Sequence, residues 1–131
     1  MTKIFEPILP FANWRDSLTF SPGVRVGKQL WTSGLTAADE EGRLVGRGDI
    51  ARQTEYIFEK IGKILNAAGG DFSNIVETTE YVLSFDDYSK TAEVRRRIFG
   101  GPPYPAATGV MVAGLVRPGA LIEIKAVAVL P

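Results

Sequence analysis

The chain has 131 residues, 45% hydrophobic and 23% charged, which is enough for one domain with a buried core. Fifteen basic residues balance fifteen acidic ones, so no net field draws the protein to nucleic acid or to an anionic membrane. Histidine and cysteine are both absent, which excludes Ser–His–Asp triads, cysteine nucleophiles, thiolate metal sites and imidazole bases.

What remains for proton transfer is Asp, Glu, Lys, Tyr and water. No stretch has the D-x-D-x-D-G spacing of a calcium loop, and "VGRGDIA" lacks the lysine of a phosphate loop. These absences point to chemistry with neither metal nor organic cofactor. No apolar run reaches bilayer-spanning length. The start "MTKIFEPILPFANW" contains two prolines and an acid where a signal peptide needs a long apolar stretch. A cytoplasmic protein without membrane attachment is the expectation.

In chain order, residues 1–19 read as an irregular or short extended lead-in to a single domain spanning 1–131. "FSPGVRVGKQLWTSGLT" (20–36) predicts two short strands around a Gly27–Lys28 turn, followed by a polar, glycine-punctuated loop. From Asp49 the apolar period changes: Ile50, Thr54, Ile57, Phe58, Ile61, Ile64, Leu65 and Ala68 mark one face of a helix. Asp49 can cap its start and Gly69–Gly70 its end. "NIVETTEYVLS" (74–84) returns to strand character. Asp86 or Asp87 then opens a second helix, which the prolines of "GGPPYP" end. "AATGVMVAGLV" and "ALIEIKAVAVL" are the closing strands.

The order β-β-α-β-α-β-β predicts an α+β layer, two helices on one face of a mixed sheet. In the last strand Ile122, Ile124, Ala126 and Ala128 form one small apolar face suited to a helix. Leu121, Glu123, Lys125, Val127 and Val129 form the other, which is too apolar for a fully wetted surface. Since the helices can cover only one side, a second copy of the chain is the expected cover of the other.

Several motifs together resemble the RidA (YjgF-type) family of reactive-intermediate/imine deaminases. They are "LWTSGL" with Ser33–Gly34, "ARQTEYIFEKIGKILNAAG" with Gln53–Thr54, "IVETTEYVL" and the ending "GALIEIKAVAVLP". The resemblance covers residues 17–131. It implies a chorismate-mutase-like fold, a homotrimer with a central barrel, and small-molecule pockets at the subunit interfaces. The implied activity is hydrolysis of imines or enamines to a keto acid and ammonia. In that scheme an arginine clamps the substrate carboxylate and a glutamate on the last strand holds or activates water.

Carried over by position, the glutamate is Glu123 and the serine of the second strand is Ser33, beside Gly34. The family's tyrosine falls on Phe20, which keeps the ring and loses the hydroxyl, and its helix asparagine falls on Ala92. The P-A-R-S segment is here "PAATG", so the arginine falls on Ala107 and the serine on Thr108. The chain thus resembles an arginine-lacking branch. Alanine supplies neither the charge nor the bidentate geometry of a carboxylate clamp, so ordinary activity on 2-imino acids is expected to be low or nil.

Arg25, Arg117 and Arg15 are the candidate replacement cations. Against that role, each reads first as a solvated surface arginine, and Arg95–Arg96–Arg97 reads as the exposed face and rim of the second helix. Trp14 reads as a clasp holding the lead-in, Glu80 as rim or interface, and Tyr81 as a possible pocket group. Glu123 is either an interfacial partner for Lys125 or a neighbouring arginine, or a general acid/base with its pKa raised by an apolar pocket. Ser33 divides between a structural hydrogen bond and a pocket contact. The leading expectation is a trimeric hydrolase or deaminase of a labile C–N intermediate of catabolism, using Glu123 and water. The alternative is a trimeric small-molecule binding protein without catalysis. A third reading, an RNA-acting protein, lacks a basic strip interleaved with aromatics.

Overall fold

The computed structural model describes residues 2–131. Six strands form one sheet in the order β1-β2-β3-β6-β4-β5, with β1 Glu6–Ile8, β2 Gly23–Val26, β3 Gln29–Thr32, β4 Ile75–Val82, β5 Ala106–Met111 and β6 Ile122–Val129. Only β4–β5 is parallel; the other neighbours run antiparallel. Helices α1 (Ile50–Ala67) and α2 (Thr91–Phe99) pack together on one face. The expected α+β arrangement is therefore present.

The lead-in contains one element that the sequence did not show as a defined strand. β1 pairs with β2 at the sheet edge, Ile8 opposite Gly23, and Ile8 is buried. Pro7 and Pro10 obscure so short a strand, yet an edge position tolerates proline because one row of N–H groups has no ladder partner. Gly23 is required there, since a Cβ on it would lie 2.8 Å from Ile64 Cγ2 of α1.

α1 begins where the capping pattern places it: Asp49 accepts a hydrogen bond from Arg52 N at 3.1 Å. Its Ile57, Phe58, Ile61, Ile64 and Leu65 are fully buried against Leu30 and the small, alternating face of β6. Ala126 and Ala128 let the helix approach closely. Burying each large side chain contributes about 1.5–3 kcal/mol, so this seam is the main source of stability. Buried Gln53 secures the loops at one end. It donates to Gly46 O and Gly119 O and accepts from Leu121 N, all within 3.2 Å.

The start of the second helix differs from expectation. Asp87 precedes a single 3-10 turn, Tyr88–Lys90, without capping it through its side chain, and α2 begins at Thr91.

Two further expectations are corrected at α2. Arg95 is not on the exposed face: it binds Glu80 and donates to Thr78 Oγ1 at 3.0 Å. Glu80 is not a rim residue either, with only 1% of it exposed. Tyr88 Oη donates to its other oxygen at 2.8 Å. The alternation of β4 explains both findings, because Thr78, Glu80 and Val82 all face the helices. Burial of Glu80 is tolerated because both carboxylate oxygens have charged or polar partners. Arg96 and Arg97 are exposed as expected.

The helix-free face carries Tyr81, Leu121, Glu123, Lys125 and Val127, all half-buried. At the far edge every residue of β5 is exposed. No helix among the described residues is long and apolar enough to cross a membrane.

Candidate active site

The site begins at a break in the β3–β6 ladder. Regular pairing ends at Trp31–Val127 and resumes as an isolated bridge between Leu35 and Ile124. Three residues, Thr32–Gly34, thus stand opposite two on β6. The freed N–H of Ala126 is satisfied by Thr32 Oγ1 at 2.9 Å. The bend leaves Gly34 exposed, directly against the Glu123 side chain. A Cβ on Gly34 would lie 2.9 Å from Glu123 Cδ, so the absence of a side chain at 34 is what seats the carboxyl group.

Among the described residues no cation lies within ion-pair distance of Glu123, and Lys125, a partner considered from sequence, makes no ion pair. Tyr81 is its direct neighbour on β4, on the same face. Ser33 is occupied: its hydroxyl donates to Ser21 O at 2.6 Å and its N–H to Pro22 O at 2.8 Å. This ties the bend to the segment preceding β2 and leaves only the oxygen lone pairs for a ligand.

Phe20 borders a cleft that also reaches Gly34. Trp14 packs edge-on against Phe20 at 5.3 Å and donates from Nε1 to Phe20 O at 3.0 Å, clasping the lead-in to the body. Ala107 and Thr108 are elsewhere. They lie on β5, two strands from β6, a separation of about 10 Å across the sheet. Thr108 pairs with Thr79 and shares the helix-free face with Glu123. Ala107 faces the helices, two residues before Gly109, which lies beneath Tyr88. One protomer therefore brings together Glu123, Ser33, Gly34 and Phe20, but not Ala107 and Thr108.

Of the candidate replacement cations, Arg25 is committed to backbone carbonyls. It donates to Gly27 O at 2.9 and 3.1 Å and to Ala68 O at 3.3 Å. Arg15 and Arg117 line the cleft, Arg117 donating to Gly42 O at 2.8 Å. The cleft has a volume of about 460 Å³ and holds a residue that the sequence did not single out, Lys60. Burial and then the Arg117 charge push its pKa down to about 8, opposed by Asp39. Tyr56, Lys60 and Lys63 follow one another at helical spacing beside the apolar stripe of α1. That spacing was the only signal for them. Among the described residues no group of three or more carboxylates converges as a metal site requires.

The family model described as endoribonuclease L-PSP matches residues 15–130. A crystal structure of RidA from the Antarctic bacterium Psychrobacter covers 98% of this chain and 100% of its own, with 28% identity and a TM-score of 0.82. The chain belongs to the RidA (YjgF-type) family.

Among RidA-family relatives, protein DfrA of Myxococcus xanthus is 36% identical over 112 residues, 84% of each chain. The 2-iminobutanoate/2-iminopropanoate deaminase of Mus musculus is 32% identical over 110 residues, 84% of this chain and 80% of that one. Imine deamination is thus an activity carried by members of this family.

Proposed function

We propose that this RidA-family chain hydrolyses an imine, enamine or related labile C–N intermediate, with Glu123 as the proton-transfer residue. The observation that carries this reading is the Glu123 carboxyl group seated on bare Gly34, on the helix-free face, with no cation among the described residues paired to it. A carboxylate in that state is free to orient water and accept its proton. Water adds to the imine carbon and Glu123 takes one of its protons. Glu123 returns that proton to the nitrogen of the carbinolamine, and as the C–N bond breaks the hydroxyl group gives up its own proton, yielding the carbonyl compound and ammonia.

The complete site is a feature of an assembly in this reading. The separation of Ala107 and Thr108 from Glu123 within one chain, and the exposure of Val110 and Met111 on β5, support a homotrimer. In it, the edge strand of one subunit approaches the Glu123 face of the next. With Ala107 and Phe20 in place of the family's arginine and tyrosine, the preferred substrate is not the usual small 2-imino acid but a more apolar or aromatic imine.

The same substitutions favour the second reading, a trimeric protein that binds a small molecule without turning it over. Ammonia release from a panel of freshly generated imines tests both readings. The panel runs from 2-iminopropanoate to uncharged and aromatic imines. Acceleration of at least one supports the hydrolase. Saturable binding without acceleration of any supports the binding protein.

A further inference from the structure

The cleft on the other side of Gly34 holds a half-buried amine that the chemistry assigned to Glu123 does not use. Lys60 Nζ donates to Thr36 O and Ala38 O, each at 2.9 Å, and both acceptors belong to the loop after β3. An ammonium group has three N–H bonds. Among the described residues nothing accepts the third. Arg117 reaches the same cleft from the β5–β6 connection and spends one N–H on Gly42 O, leaving the rest of its guanidinium unpartnered among the described residues.

Of the acids at the cleft, Asp39 favours the Lys60 ammonium, but burial and Arg117 outweigh it. Asp39 is engaged by Glu41 N, Arg43 N and the Arg43 side chain, and Glu41 pairs with Arg43. Lys63, one turn further along α1, adds positive charge, and Arg15 and Glu40 also line the cleft. Trp14, Phe20 and Tyr56 contribute aromatic rings to the lining. Two cations with N–H donors to spare, in a cavity of about 460 Å³ that aromatic rings also line, match the chemistry of one ligand class.

We propose that this cleft is a binding site for a small planar carboxylic acid, with its carboxylate held by Lys60 and Arg117 and its ring lying against Trp14 and Tyr56. The site is separate from the position of Ala107 and does not rest on the hydrolase reading. It is contiguous with it through Gly34, which borders the cleft and seats Glu123.

The electrostatics give the site a signature. In the empty cleft, burial and repulsion from Arg117 disfavour the Lys60 ammonium. A bound carboxylate places an opposite charge beside the ammonium, which favours the charged form and raises the pKa of Lys60. Binding above pH 8 then takes up a proton, and affinity falls as pH rises past 8, by at most about tenfold per pH unit for one linked proton. Tyr56, one turn before Lys60 on α1, has its pKa raised first by burial, so it stays neutral through this range.

The test is calorimetric titration of the full chain with 2-naphthoate and with its neutral amide, 2-naphthamide, below and above pH 8, in buffers of different ionisation enthalpy. The site predicts saturable 2-naphthoate binding, at least about tenfold tighter than the amide. It also predicts proton uptake above pH 8, and a loss of about tenfold or more in Lys60→Met and in Arg117→Gln. Equal binding of acid and amide, no saturable binding, or proton uptake that persists in Lys60→Met would overturn it. Should Lys60→Met fail to fold, Arg117→Gln and the wild-type proton count decide: full affinity in the former, or no uptake in the latter, contradicts the proposal.

Discussion

The carboxyl group of Glu123 rests on the bare α-carbon of Gly34, where even a methyl group would overlap it. This contact joins β6 to the bend that interrupts β3 and turns a local irregularity of the sheet into a fixed position for an acid. Nothing else in the structure defines that position so directly.

Gly34→Ala is therefore expected to move the carboxylate while leaving the fold intact. The atoms displaced are the end of a flexible side chain, and Gly34 does not have a positive φ, so no backbone strain is added. Imine hydrolysis should fall by at least about tenfold, as expected for a mispositioned acid–base group. Thermal unfolding should shift by no more than a few degrees, about the effect of 0.5 kcal/mol. Activity and melting measured on the same preparation check both halves.

Ser33→Ala removes the hydroxyl that donates to Ser21 O. A single neutral hydrogen bond contributes about 0.5–1.5 kcal/mol, so urea unfolding should show a loss of that size. If the hydroxyl serves only to hold the bend, turnover at saturating substrate is retained. A loss of turnover well beyond the stability change would make Ser33 a pocket contact.

The Glu80–Arg95 pair makes a larger prediction. Arg95→Met leaves the fully buried Glu80 carboxylate with Tyr88 alone. Breaking one side of a buried ion pair costs about 3–5 kcal/mol. Urea unfolding should show a loss of that size, and Glu80→Gln combined with Arg95→Met should recover part of it.

Much of this was legible in the sequence, for identifiable reasons. The 3.6-residue period from Ile50 to Leu65 and the glycines after it marked α1, because capping and one-sided burial are local signals. The alternation of β6 separated the helix-packed face from the face bearing Glu123 for the same reason. What escaped depended on distant partners. Glu80 is buried only because Arg95, fifteen residues on, reaches it from another element. Lys60 is half-buried because the loop after β3 supplies two carbonyls. The break in the β3–β6 ladder, which makes Gly34 a seat for Glu123, has no signature in either strand alone.

Stability above neutral pH carries the marks of Lys60 and Tyr88, with Tyr56, whose pKa burial also raises, acting in the same sense as Tyr88. The pKa of Lys60 in the folded chain is about 8, below its ordinary 10.5, so above pH 8 the unfolded chain binds more protons and stability rises with pH. Tyr88 acts in the opposite sense. Burial, then its bond to Glu80, pushes its pKa up to about 12 from an ordinary 10, so above pH 10 the folded chain holds the extra proton and stability falls. Urea midpoints across this range should rise between pH 8 and 10 and then decline. Lys60→Met should flatten the rise, and Tyr88→Phe should remove part of the decline.

The central claim is that Glu123 performs proton transfer on an imine. The most direct measurement is the rate of ammonia release from the best imine of the panel by wild type and by Glu123→Gln, which keeps the shape and removes the base. Loss of a positioned general acid–base group predicts a fall of about 10²–10⁴-fold in kcat, with an unchanged melting temperature. Equal rates in the two proteins would contradict the account and leave Glu123 as a structural residue of the interface.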